Sequence, residues 1–340
     1  MTRIAINGFG RIGRLFLRAA IKEKDLEIVA INDLGDLENL AYLLKYDTVY
    51  GRYQGEVKAD AKKGILAVNG KEIRVLQVKD PAQLPWKDLK IDIVVESTGL
   101  FESYEKAKIH LKAGAKRVVI TAPAKDPDGV EGATVLMGVN DEKLSSIVLS
   151  SNGSCTTNAA SPVIQIMSEN PGIVKAVLNT VHGYTATQNL VDGPTRGPDF
   201  RRGRAAAQNI VPSSTGAAIA VTRAIPDLEG KFDGIAIRVP IVSGSIADIT
   251  FLAKRKVTVE EVNDILRKAA ASPHWKGILK VTDDQLVSSD IVGEPYGAIV
   301  DTNFTKVVDG DLVKVFSWYD NEAGYVSTLI KHVQRVAQII

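Results

Sequence analysis

The sequence predicts two closely coupled domains: an α/β domain built on a parallel sheet, followed by an α+β domain with a mostly antiparallel sheet. Three observations carry this reading. Over roughly the first 150 residues, short apolar runs alternate with helix-period patterns, which is how strand–helix–strand units read. Beyond that point the strand-like runs lengthen and follow one another with fewer helices between them. The chain has 340 residues, enough for two cores, and no Gly/Ser-rich or Pro-rich linker separates its halves.

In the first half the expected strands are 3–7, 27–32, 91–96, 117–121 and 147–150. Between the first two, 11–22 reads as a helix because Ile12, Leu15, Phe16 and Ala19 share one face. A second helix is expected over 105–113. In the second half a helix is expected over 158–168, then strands at 174–182, 234–240, 245–252 and 312–318. Thr258-Val259-Glu260-Glu261 is a capping box opening a helix to about residue 270, and 322–336 reads as a last helix. The expected domains are 1–151, completed by a terminal helix over 322–340, and 152–321.

Hydrophobic residues make up 45% of the chain, charged residues 24%, and the net charge is +2. So small a charge gives no reason to expect nucleic acid or a membrane surface as a partner, and no apolar run is long enough for a membrane helix. The chain enters a strand-like segment at once, leaving no room for a signal peptide. Its single cysteine, Cys155, rules out an intramolecular disulfide. Together these favour the cytoplasm. No metal ligand set is assigned.

Gly8-Phe9-Gly10-Arg11-Ile12-Gly13 fits G-x-G-x-x-G, follows a strand and opens an amphipathic helix. Gly8 permits the tight turn, Gly10 admits a pyrophosphate, and Gly13 lets helix and strand pack closely. The helix N-terminus offers N–H groups and partial positive charge to phosphates. Asp33 lies 20 residues after Gly13, where a carboxylate binds ribose hydroxyls and repels a 2′-phosphate. The pattern therefore predicts a Rossmann-type domain that binds NAD in preference to NADP. Thr98, Gly99 and Thr121 each follow a strand and are expected on the cofactor side, although ordinary turn chemistry explains them almost as well.

A second constellation surrounds Cys155 in Ser154-Cys155-Thr156-Thr157-Asn158. A cysteine at a helix N-terminus is drawn toward thiolate. His182, at a strand end, is a candidate partner, though a lone histidine is more often structural. A third constellation is basic and hydroxylic. Arg201-Arg202-Gly203-Arg204 precedes a helix-like Ala205-Ala206-Ala207, and Ser213-Ser214-Thr215-Gly216-Ala217 reads as a loop opening a helix. Arg238 stands among apolar strand residues and needs a fixed anion, either a structural carboxylate or a substrate phosphate.

Four segments, 7–14, 154–158, 214–217 and Trp318-Tyr319-Asp320-Asn321-Glu322, closely resemble the phosphorylating glyceraldehyde-3-phosphate dehydrogenase family. The likeness runs from residue 3 to about residue 336. It implies NAD-dependent oxidation of D-glyceraldehyde 3-phosphate to 1,3-bisphosphoglycerate, with inorganic phosphate as second substrate. Cys155 would form a thiohemiacetal and then a thioester, with His182 as base and oxyanion stabiliser. Arg238 and Thr185 would bind one phosphate, with Thr187 near the substrate phosphate. Thr156, Thr215 and Gly216 would bind the attacking phosphate. Ser154 and Arg202 join this substrate- and phosphate-binding set. Gly8, Gly10, Arg11, Ile12, Gly13, Asp33, Thr98, Gly99 and Thr121 would line the cofactor, and Asn321 would orient the nicotinamide carboxamide. Residues 189–208 would reach a neighbouring subunit, implying a homotetramer.

Departures from the pattern are Gly153 for a common alanine, Ala159 for a second cysteine, Ile219 for a usual lysine, Ala323 for a larger residue, and an altered turn over 241–245. None removes a proposed catalytic group. Erythrose-4-phosphate dehydrogenase, which hydrolyses the thioester, is the nearest rival, and the 214–217 loop argues against it. Aspartate-semialdehyde dehydrogenase differs in its motifs. A redox-sensing or RNA-binding role alone is at odds with the intact Cys155, His182, Arg238 and Asn321.

Overall fold

The computed structural model describes residues 1–195 and 197–340. They form two units, Met1–Val135 with Asp141–Gly153 and Leu329–Ile340, and Leu136–Asn140 with Ser154–Thr328.

The first unit runs β1 (Thr2–Asn7), α1 (Arg11–Ala20), β2 (Leu26–Asn32), α2 (Leu37–Lys45), β3 (Val57–Asp60), β4 (Ile65–Val68), β5 (Lys71–Leu76), β6 (Ile93–Glu96), α3 (Tyr104–Lys112), β7 (Arg117–Ile120), β8 (Gly132–Thr134) and β9 (Leu149–Ser151). Its sheet has the order β3-β4-β5-β2-β1-β6-β7-β9-β8. From β5 to β8 every pairing is parallel, as expected. The β3–β4–β5 meander is antiparallel and was not anticipated, since β3 and β4 have only four residues each and β3 and β5 interleave charges with their apolar positions. Helix α2 escaped notice as well, although Asp36 caps it at the N-terminus by accepting from Asn39 N–H.

The second unit begins with α4 (Cys155–Glu169) and continues through β10 (Ile173–Gly183), β11 (Val211–Ser214), α5 (Ala217–Ala224), β12 (Phe232–Val239), β13 (Ser245–Ala253), α6 (Val259–Ala271), β14 (Leu279–Thr282), β15 (Ala298–Val308) and β16 (Leu312–Tyr319). The terminal α7 (Ala323–Ala337) starts in this unit and ends in the first. The sheet order is β11-β12-β10-β13-β16-β15-β14. It is mixed, with β10–β12 and β14–β15 parallel and the other pairs antiparallel. Strand β15 was not expected because its ladder shifts register between Asp301 and Lys306, which breaks the two-residue alternation. Among the described residues, no helix is long and apolar enough to cross a membrane.

Two local expectations need correction. Helix α4 opens at Cys155, three residues earlier than its apolar period suggests, because Ser154 and Thr157 form a reciprocal capping box. The alanines 205–207 do not open a helix. Ala205 N–H donates to Asp192 and Ala206 N–H to the Asn189 carbonyl, which ties them into the loop instead. The 189–208 segment includes Arg196, which lies outside the described residues.

Candidate active site

The first unit carries a cleft of about 270 Å³ at the carboxyl ends of its parallel strands, lined by Gly8, Gly10, Asp33, Lys79, Thr98 and Phe101 among others. The glycine turn is built as its spacing requires. Gly8 has φ +95, and a Cβ there would meet the Ser97–Thr98 peptide at 2.7 Å. A Cβ at Gly13 would lie 2.2 Å from the Gly8 carbonyl, so only glycine lets α1 sit this close to β1. At Gly10 a Cβ would meet no protein atom, and α1 starts there without a side-chain cap. This is the cradle a pyrophosphate fits.

Asp33 lines the cleft and accepts N–H bonds from Phe9 at 2.6 Å and Gly35 at 2.8 Å. It thus braces the glycine turn, and its two oxygens retain lone pairs for ribose hydroxyls. Arg11 instead pairs with Asp47 at 2.6 Å, and neither it nor Ile12 lines the cleft. Thr98 lines the cleft, but its hydroxyl donates to Glu96. Gly99 takes φ +71 in the same turn. Thr121 hydrogen-bonds the Glu96 carbonyl and does not line the cleft. Lys79 was not foreseen on this wall.

The second unit brings Cys155 and His182 together. Cys155 is the first residue of α4, and His182 lies near the end of β10. The sulfur is 3.3 Å from His182 Nε2. Parallel pairing sets His182 directly opposite Arg238 on β12, which explains why residues so distant in sequence meet. Nδ1 of His182 lies 2.6 Å from the Gly183 carbonyl and 2.5 Å from Arg238 Nη1. The guanidinium only donates and the carbonyl only accepts, so Nδ1 serves one of them at a time. No carboxylate pairs with Arg238 among the described residues, and burial lowers its affinity for the proton. The structural-carboxylate explanation of Arg238 therefore fails here.

Burial, reinforced by Arg238, pushes His182 down to about 3 and keeps the imidazole neutral. For Cys155 burial pushes the thiol up, while Arg238 and the Thr156 N–H pull it down. The net direction is upward, opposite to the one expected from the helix N-terminus alone. A neutral thiol facing a neutral imidazole is the resting pair. Gly153 has φ +63 in the turn before the thiol, a conformation in which the more usual alanine is strained.

Thr215 accepts from Ala217 N–H, and Gly216 caps α5 with no side-chain bond. Thr185 and Thr187 share a 3.0 Å hydroxyl contact in the turn after β10. Arg202 donates to Ser213 at 3.0 Å and lies close enough to Arg238 to disfavour its charge. The Asn321 oxygen accepts from Ser245 at 2.9 Å. Ser154 is committed to capping Thr157. Thr156 is buried, and its hydroxyl meets that of Tyr319 at 2.8 Å.

Tyr319 itself was missed. Its hydroxyl also contacts Thr180 at 2.7 Å, and its ring edge packs on His182 at 5.9 Å. The Trp318–Glu322 motif contained this residue, but only the fold shows which way the ring faces.

Comparison with known proteins gives one match in each half of the chain. A family model described as "Glyceraldehyde 3-phosphate dehydrogenase, NAD binding domain" matches residues 2–104. One described as "Glyceraldehyde 3-phosphate dehydrogenase, C-terminal domain" matches residues 154–321. The chain is 47% identical to the glyceraldehyde-3-phosphate dehydrogenase of Clostridium pasteurianum, over 100% of this chain and 99% of that one. It is 48% identical to that of Streptomyces coelicolor over 96% of each chain. With that of Mycobacterium avium the identity is 49%, covering 99% of this chain and 98% of the other.

Proposed function

Since the chain belongs to the glyceraldehyde-3-phosphate dehydrogenase family, we propose that it oxidises D-glyceraldehyde 3-phosphate with NAD through a thioester on Cys155. It is an NAD-dependent oxidoreductase, and NAD, when bound, accepts the hydride. The unit holding Gly8, Gly10, Gly13 and Asp33 serves as the cofactor domain, and the unit holding Cys155 as the catalytic domain.

The observation that carries this reading is the 3.3 Å contact between the Cys155 sulfur and neutral His182. As the sulfur adds to the aldehyde carbon, His182 Nε2 takes the thiol proton. It can do so with its other proton donated from Nδ1 to the Gly183 carbonyl, which leaves Nε2 the acceptor. The imidazolium then stabilises the thiohemiacetal oxygen. The imidazolium lends its proton to the thiohemiacetal oxygen and takes it back as the hydride departs, which leaves a thioester on Cys155. An oxygen of inorganic phosphate attacks the acyl carbon, the C–S bond breaks, and the leaving sulfur takes its proton back from His182 while the phosphate gives its own to solvent. Arg238 fits the anionic phosphates as a partly buried cation lacking a carboxylate. Thr185 and Thr187 stand by the same strand end, and Thr215 and the first-turn N–H groups of α5 after Ala217 suit the attacking phosphate.

A homotetramer fits the exposed sheet face of the catalytic unit. Val177 and Ile235 are 60 and 55% exposed there, and Ile219 of α5, 58% exposed, shares a groove with Val177, Phe232 and Leu312. Ile219 stands where the family usually has lysine, which makes this face more apolar. Cytoplasmic residence suits a free catalytic thiol.

The test follows NADH absorbance with glyceraldehyde 3-phosphate and NAD, with and without inorganic phosphate, beside arms with erythrose 4-phosphate and with Cys155→Ser. Turnover should require both phosphate and Cys155. Equal rates without phosphate would refute the phosphorylating mechanism, and an active Cys155→Ser would refute the covalent one.

A further inference from the structure

Under the dinucleotide cleft, side chains from neighbouring strand ends form one continuous polar chain. Asn32 donates to Asn7 at 2.8 Å, and Asn7 donates to Glu96 Oε2 at 2.6 Å. His110 Nε2 reaches the same oxygen at 2.9 Å, and Trp86 Nε1–H donates to His110 Nδ1 at 3.1 Å. Because the indole can only donate, Nδ1 must accept and Nε2 carries the proton toward Glu96. The other oxygen, Oε1, accepts both the N–H of Thr98 at 2.9 Å and its hydroxyl at 2.5 Å.

Glu96 therefore receives four donors, and it is 2% exposed. No lysine or arginine pairs with it among the described residues. A buried carboxylate without such a cation is costly and is kept only where its acceptors are all used. An amide of the same shape could not take its place, since its NH₂ would face two donors.

What this carboxylate holds is the cofactor wall. Thr98, Leu100 and Phe101 line the cleft, and the Thr98 hydroxyl also accepts from Leu100 N–H. The Ser97–Thr98 peptide abuts Gly8 at a distance that excludes a Cβ, and Ser97 Oγ donates to the Gly8 carbonyl at 2.7 Å. The main-chain oxygen of Glu96 fixes Thr121 as well. Any shift of Glu96 thus moves the wall and the glycine turn together.

We propose that Glu96, oriented by Asn7 and by His110 under the control of Trp86, is a positioning residue for NAD: it sets the Ser97–Phe101 turn against the glycine turn and so determines cofactor affinity without touching the reacting atoms. It acts on the adenosine half, because the cleft it shapes also holds Asp33.

The proposal rests on NAD binding to this unit, and the experiment separates the two. Kd for NAD and for ADP-ribose is measured calorimetrically on the intact enzyme, with kcat and both KM values. If the wild type binds neither ligand, the cofactor reading itself fails. Given wild-type binding, Glu96→Gln should raise Kd for both ligands and KM for NAD at least ten-fold. The kcat at saturating NAD and the aldehyde KM should change less than two-fold. Trp86→Phe, remote from the cleft, should raise Kd about three-fold by freeing the His110 tautomer. The charge exchange Asn7→Asp with Glu96→Gln should recover part of the loss. Unchanged ADP-ribose affinity in folded Glu96→Gln overturns the proposal, as does a loss confined to kcat. Should that variant not fold, unchanged affinity in Trp86→Phe overturns it.

Discussion

Acidification should destabilise this enzyme through a histidine that takes no part in catalysis. His332, on α7, is fully buried. It contacts the Asn152 side-chain oxygen through Nδ1 at 3.1 Å and the Ser150 hydroxyl through Nε2 at 2.8 Å. Burial lowers it from its ordinary 6.5 to about 3. The folded value lies below the unfolded one, so the unfolded chain takes up the proton first. Stability is then complete above about pH 6.5 and falls as the pH drops toward 3. At pH 5.0 the unfolded state gains about 2 kcal/mol from this one proton, against less than about 0.1 kcal/mol at pH 7.5. The assay is urea denaturation followed by circular dichroism at both pH values, on wild type and His332→Asn at equal protein concentration. The variant should start less stable, having lost a packed ring, but its further loss between pH 7.5 and 5.0 should be smaller than the wild type's by about 2 kcal/mol. Parallel losses in the two proteins would refute the reasoning. His182, lowered to about 3 as well, adds a similar term that both proteins share.

Two other outcomes follow from the site geometry. Replacing Asp33→Ala removes the acceptor proposed for the ribose and the brace on Phe9 N–H; a charged hydrogen bond of about 1.5–3 kcal/mol predicts NAD affinity at least ten-fold weaker. The NAD-to-NADP ratio of kcat/KM should fall further, and an unchanged ratio rejects Asp33 as the selector. Tyr319→Phe keeps the ring against His182 while stripping the hydroxyl that meets Thr156 and Thr180. It should raise the phosphate KM with little change in the aldehyde KM, and steady-state kinetics varying each substrate in turn would detect the opposite pattern.

Sequence alone determined the features whose physics is local. Gly8, Gly10 and Gly13 announce a turn and a helix start because their backbone demands are met within a few residues, and the helix and strand periods expose one buried face at a time. The Cys155 loop was legible for the same reason, although its helix starts earlier than the apolar period suggests, since a capping box of polar residues opens it. Irregular or short ladders were not legible: β15 shifts register midway, and β3 and β4 are only four residues long, with charges interleaved in β3 and β5. Tertiary structure alone decided which distant groups meet. Strand pairing sets Arg238 against His182 and turns Tyr319 onto both His182 and Thr156. It also reversed the expected direction for the thiol, because the burial that outweighs the helix terminus depends on every element packed around it. In the same way, Glu96 reads as one more charge at a strand end until the fold closes Asn7, His110 and Thr98 around it.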